Sequence, residues 1–222
     1  MTKQLELETL LQRLPQARIG VIGDFCLDAY WETDNSRSEL SVETGLPTRA
    51  VKTQRYSLGG AGNVASNLLA MGVANISVYG VTGADPFGYQ MRQLMGAAGM
   101  KVDGLLEQNG DWVTHTYIKP LEEGVEANRI DFGNFNRLAD SVARQLAEKL
   151  ADDCADLDLV IINQQVADGI HRSALFQEQL QAVVAARPDK IFLLDSRDMS
   201  GRYAGTVRKI NAYEAMLLMG AD

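Results

Sequence analysis

Short apolar runs alternating with helical patterns constrain this chain more than any other feature. Ala17–Gly23, Ile76–Val81, Leu157–Ile162 and Lys190–Asp195 each read as a buried strand. Leucines at positions 7, 10, 11 and 14 predict a helix over 3–14, ended by Pro15. Further helices are predicted over 87–98, 137–151, about 171–186 and through about Met219, with additional strands at 101–106 and 207–211. Helices alternating with apolar strands mean βαβ units, and these give a parallel sheet covered on both faces. The expectation is an α/β fold with a doubly wound, mostly parallel sheet.

Two segments depart from that rhythm. Residues 48–57 mix Val51 with Arg49, Lys52, Gln54 and Arg55, the pattern of a partly exposed strand. Trp112–Ile118 and Val125–Phe132 are rich in Thr, Tyr, Arg and Glu, and they flank the hairpin signal Glu122-Glu123-Gly124. Strands at about 48–58 and 112–132 therefore form a small β lid, while residues 30–47 read as a polar loop.

Composition narrows the function classes. A net charge of -8 argues against a nucleic-acid or anionic-membrane surface. Cys26 and Cys154 show no ligand spacing, which suits a reducing compartment, and the only histidines are His115 and His171. A His-rich zinc site and a Ser-His-Asp triad both lack material. No apolar run approaches membrane-spanning length, and the N-terminus does not read as a signal peptide, so a cytoplasmic protein is expected.

The stretch Ser57-Leu58-Gly59-Gly60-Ala61-Gly62-Asn63-Val64 runs three glycines straight into a helical pattern. Glycine permits positive φ and close approach, and the following helix turns its free N–H groups toward that turn. Such a turn seats polar or anionic ligands. Gly60-x-Gly62-x-x-Ala65 satisfies a dinucleotide fingerprint, with Asp85 twenty residues further on, so NAD binding is one reading. That fingerprint needs a buried strand before it, and TRAVKTQRYSL is not one. No Walker-type P-loop occurs. A sugar site is the third reading. Asp24 follows the first strand, Asp28 lies four residues on, and carboxylates and amides suit paired sugar hydroxyls.

Taken together, Ile22-Gly23-Asp24-(x3)-Asp28, Gly59-Gly60-Ala61-Gly62-Asn63-Val64-Ala65 and Gly80-Val81-Thr82-Gly83-x-Asp85-x-x-Gly88 resemble the first half of a ribokinase-type carbohydrate kinase, the phosphofructokinase-B family. The flavour is nearest to bacterial heptose-phosphate kinases, through Asp28-x-Tyr30-Trp31 and Ser36-Arg37. Asp195 after a strand and Asn211-x-x-Glu214 resemble later landmarks of that family.

The resemblance implies a ribokinase-like fold and ATP-dependent phosphorylation of a hydroxyl on a sugar or sugar phosphate. Asp28 would hold sugar hydroxyls, with Gly59, Gly60 and Asn63 lining the pocket and Asp24 at its edge. Arg129, on the lid, would meet a sugar phosphate or form a surface salt bridge. Asn211 and Glu214 would face the phosphates of ATP, with Glu214 acting indirectly on Mg2+. The lid would cover the sugar and could pair two subunits into a homodimer. The family's Asp-Thr-x-Gly-Ala-Gly-Asp stretch, which carries the general base and the anion hole, does not occur in the 222 residues. Gly220-Ala221-Asp222 is no substitute for it. The chain is therefore expected to be the N-terminal, sugar-binding portion of a kinase without its nucleotide-binding half, and inactive alone. A non-catalytic sugar-binding module is the alternative reading.

Overall fold

The computed structural model describes residues 3–220; Ala221 and Asp222 of the C-terminal tripeptide lie outside the described residues. The strands are β1 (Arg18–Gly23), β2 (Phe25–Thr33), β3 (Val51–Gly60), β4 (Asn75–Gly83), β5 (Lys101–Gln108), β6 (Thr116–Glu122), β7 (Val125–Glu126), β8 (Ile130–Phe132), β9 (Leu159–Gln164), β10 (Ile191–Ser196) and β11 (Val207–Lys209). The α-helices are α1 (Lys3–Arg13), α2 (Ala61–Ala70), α3 (Pro86–Ala97), α4 (Asp140–Asp153), α5 (Ala174–Ala186) and α6 (Ala212–Leu218).

Six strands form one sheet in the order β11-β10-β9-β1-β4-β5, every neighbouring pair parallel. Side chains alternate across it. Ile22, Val160, Ile162, Phe192 and Leu194 pack toward α4 and α5, against Leu146, Leu150, Phe176 and Leu180. Val21, Ile76, Val78 and Ile161 point to the other face, against Ala65 of α2 and Met91 and Met95 of α3. Both faces are thus buried, as a parallel sheet requires. The chain works outward from β1 through β4 to β5, then returns to the other side through β9, β10 and β11. The topological switch falls between β1 and β9, where open α/β sheets place their ligands.

The second sheet runs β3-β2-β6-β7, with β8 also on β6. It corrects the sequence expectation in one respect. Residues 25–33, expected to run from a strand end into loop, form β2 at the heart of this sheet. The pattern hid it because Phe25, Leu27 and Ala29 face the core while Cys26, Asp28 and Tyr30 face the other way, with Trp31 half-buried. The hairpin between β6 and β7 turns at Glu123 and Gly124, both at positive φ, as a two-residue hairpin turn demands. Residues 112–115 precede β6 rather than belonging to it.

Candidate functional site

Gly59 and Gly60 are the last residues of β3, and the chain enters α2 directly, with Gly60 as its N-cap. Gly60 has φ 56°, and a Cβ there would collide with the Asp24 carbonyl oxygen. That same carbonyl accepts the Ala61 N–H at 2.9 Å. The turn is therefore clamped to the end of β1, and the helix begins at the topological switch.

Asp24 is 2 % exposed, and its carboxylate is fully engaged. Oδ2 accepts from the Gln165 and Val166 N–H groups at 3.0 and 3.3 Å, and Oδ1 from the Ile170 N–H at 3.0 Å. Its side chain holds the loop after β9 rather than projecting into open space. Behind it sits a buried pair, with His171 Nδ1 2.7 Å from the Tyr203 hydroxyl. Burial drives the His171 pKa below its ordinary value, against the pull of the Asp24 charge.

Asp28 lies on the face of β2 turned away from the core. Lys119 Nζ stands 2.8 Å from Asp28 Oδ1 and 3.4 Å from the Tyr30 hydroxyl. Burial opposes the Lys119 charge, but Asp28 and Tyr30 outweigh it, so its pKa lies above the usual lysine value. Gly59 is the enabling neighbour, because a Cβ there would come within 3.0 Å of Asp28 Oδ2. Lys119 was not singled out in the sequence; its parallel register opposite Tyr30 was invisible without the β2–β6 pairing.

A cleft of about 400 Å³ opens at the C-terminal ends of β9 and β10. Gly60, Asn63 and Glu214 line it together with Asn67, Asn163 and Asp195. Gly60 and Asn63 were expected in the sugar pocket and Glu214 at the phosphates of ATP; the cleft brings the three together, and Asn67 and Asn163 were not expected. Asn67 lies one helical turn beyond Asn63, a spacing that could have found it. Asn163 is 1 % exposed and its Oδ1 is unpartnered in the structure.

Asn211 and Glu214 form a reciprocal capping box: Asn211 N–H donates to Glu214 Oε2 at 2.8 Å, and Glu214 N–H to Asn211 Oδ1 at 2.9 Å. Asp195 is paired with Lys209 Nζ at 2.9 Å. Among the described residues no three His, Cys, Asp or Glu side chains cluster as metal ligands. Glu214 belongs to no such cluster, and one of its carboxylate oxygens accepts the Asn211 N–H.

Arg129 stands apart from that cleft, on the lid. Its guanidinium binds Asp131 through two hydrogen bonds of 2.6 and 2.7 Å and lies 4.5 Å from the Tyr117 ring centre. Asp85, the acid that a dinucleotide reading needs for a ribose, caps α3 instead. One oxygen accepts from Gly88 N–H and the other from Thr114 N–H, each at 2.8 Å. A larger groove of about 720 Å³ at the far end of the lid is lined by Glu32, Asp34, Glu122, Glu123 and Glu126. Among the described residues no helix is long and apolar enough to cross a membrane.

Comparison with known proteins agrees with this architecture. The model of the pfkB family of carbohydrate kinases matches residues 16–221. The chain is 30% identical over 206 residues to the bifunctional protein HldE of Hydrogenovibrio crunogenus, covering 92% of this chain and 40% of that protein. It is 32% identical over 143 residues to a D-beta-D-heptose 7-phosphate kinase of Bordetella bronchiseptica, covering 62% and 44%. It thus spans less than half the length of these curated relatives. Among solved structures, a ribokinase from Giardia lamblia superposes with TM-score 0.57 at 17% identity, covering 93% of this chain and 61% of that one. A ribokinase from Cryptococcus neoformans var. grubii serotype A, solved in complex with ADP, gives 0.50 at 14% identity, with coverage of 82% and 50%. The fold is shared at these identities, and the family match over nearly the whole sequence adds kinship: the chain belongs to the pfkB family of carbohydrate kinases.

Proposed function

We propose that the protein to which this chain belongs transfers the γ-phosphoryl group of ATP to a hydroxyl of a sugar or sugar phosphate, and that these residues supply the sugar pocket. The observation that carries the reading is the continuity between lid and cleft. Asp28 and Gly59 lie on one face of the second sheet, and β3 leads from Gly59 through Gly60 into Asn63 at the cleft. A sugar lying along that face has a carboxylate for paired hydroxyls at its middle and an amide at its reacting end. The engagement of both Asp85 oxygens with backbone favours this over the dinucleotide reading.

Positioning and charge stabilisation dominate phosphoryl transfer. In this reading Asp28 and Asn63 orient the acceptor, and Gly60 lets the backbone come close to it. Lys119, 2.8 Å away, aims the Asp28 carboxylate. Glu214 stands at the cleft wall, with Asn211 capping its helix, and in this reading the two face the nucleotide phosphates, with Glu214 holding Mg2+ through water. The metal, when bound, neutralises phosphate charge. A general base and an anion hole of the family type do not occur in these residues, so the chain alone binds sugar without turning it over.

Calorimetry with hexoses, heptoses and their phosphates tests the reading. Saturable binding is expected in the 222-residue chain, and Asp28→Ala should weaken it by roughly 100-fold through loss of charge-assisted hydrogen bonds. ATP added with the bound sugar should release no ADP above background. NAD binding with no sugar binding would overturn the proposal. The proposal extends to a homodimer formed across the lid. β3 is an edge strand with an unpaired outer side, and Val51, Val125 and Ile130 are exposed on the same sheet.

A further inference from the structure

Two buried asparagines of this chain differ in what holds them. Asn136 is 5 % exposed and its amide is fully used. Its Oδ1 accepts the Val113 N–H at 2.8 Å, while Nδ2 donates to the Val113 carbonyl at 2.8 Å and lies 3.3 Å from His115 Nε2. Asn163, at the C-terminal end of β9, is more deeply buried, yet its side chain makes no hydrogen bond among the described residues. A buried amide without partners costs free energy, and native proteins keep few of them.

The neighbours of Asn163 supply no partner. Residues paired across a sheet share a face, and Gly23, Asn163, Asp195 and Lys209 form one rung across β1, β9, β10 and β11. Gly23 has no side chain, and a Cβ there would press on the Asn163 backbone. Asp195, on the other side, is taken by Lys209 at 2.9 Å. What remains is the cleft, which Asn163 lines together with Gly60, Asn63 and Asn67. The buried atom left open is Oδ1, an acceptor. It needs a donor, which the ionised oxygens of a phosphate lack and a hydroxyl provides.

We infer that Asn163 is the floor of the acceptor site and takes the hydrogen of one sugar hydroxyl on its Oδ1. This rests on the sugar pocket proposed above and gives that pocket a residue from the centre of the parallel sheet. The amide is held at a cost to the chain without sugar, so stability and binding respond to its removal in opposite directions.

Urea midpoints and calorimetry on the 222-residue chain test this, with fructose 6-phosphate and sedoheptulose 7-phosphate as probes. Both are run without nucleotide or metal ion, so that only the sugar can bring the donor. Asn163→Leu removes the amide at similar volume. Its midpoint without sugar should match or exceed that of the wild type, and its affinity for the probes should fall about 10-fold, the loss of one hydrogen bond. Asn163→Ala, which requires no repacking, should show the same loss of affinity. Asn136→Leu, in contrast, should lower the midpoint, because Val113 loses both of its partners there. Monodeoxy analogues of each probe then identify the hydroxyl: one of them should bind wild type and Asn163→Leu equally, since the contact is already missing. Unchanged affinity in the Asn163 variants overturns the inference and leaves the sugar pocket standing. A midpoint that falls in Asn163→Leu as far as in Asn136→Leu would show a structural amide and overturn it too. So would a 10-fold loss that persists with every deoxy analogue. No binding of either probe to the wild type overturns both proposals.

Discussion

At the scale of single residues, the two aspartates four positions apart do opposite work. Asp24 is buried with three backbone donors on its carboxylate, and Asp28 is only partly covered and held by one lysine. Removing Asp24 leaves buried N–H groups without acceptors, which costs more than the bonds themselves contribute. Asp24→Ala should therefore lower unfolding free energy by about 3 kcal/mol, seen as a shifted urea midpoint. Asp28→Ala should lower it less, by about 1 kcal/mol, because Lys119 loses its partner but keeps some contact with solvent. Equal midpoints for the two variants would mean that the burial of Asp24 is not what secures the loop after β9. The Asp-(x3)-Asp spacing showed both carboxylates near a strand end. It could not show which of them the backbone would consume.

Elements show a similar division. The parallel strands announced themselves by unbroken apolar runs, and α2 stops at Gly72, whose φ of 100° only glycine adopts freely. β2 escaped notice because one face meets the core and the other carries Asp28 and Tyr30, so its residues read as loop. Asn211-x-x-Glu214 forms a capping box, which explains its spacing locally, and it places Glu214 on the cleft wall. At the lid, β3 leaves one row of backbone groups unpaired. Sedimentation equilibrium should give about twice the 24.3 kDa chain mass. Replacing Gln54 by proline should return the mass to that of one chain, since Gln54 pairs with Trp31 in a non-hydrogen-bonded position and turns its N–H to the open edge. A wild-type mass of 24.3 kDa at high concentration would rule out the dimer.

For the whole molecule, two apolar clusters sandwich the parallel sheet, and the buried histidines lie where the sheet meets its loops. Burial depresses the pKa of both His115 and His171, so both are neutral in the folded state. The unfolded chain takes up protons near pH 6.5, and the folded chain does not follow until lower pH. Stability is thus whole above about pH 6.5 and is lost as pH falls below it, by up to about 1.4 kcal/mol per pH unit for each histidine. Urea midpoints at pH 8, 7, 6 and 5 should be level over the first two and decline over the last two. A midpoint constant down to pH 5 would contradict the burial argument.

Local pattern alone determined the α/β class, the parallel strands and the glycine entry into α2, because periodicity and backbone permissiveness are properties of neighbouring residues. The family resemblance, rather than pattern, brought Asp28, Gly59, Gly60 and Asn63 forward as a set. Only the tertiary structure decided that Asp24 serves the backbone, that Asp85 caps a helix, and that Lys119 and Arg55 converge on Tyr30 from two different strands. Those outcomes depend on contacts between segments separated by up to 146 positions. Register across such distances is set by the packing of both sheets at once, which no local pattern encodes.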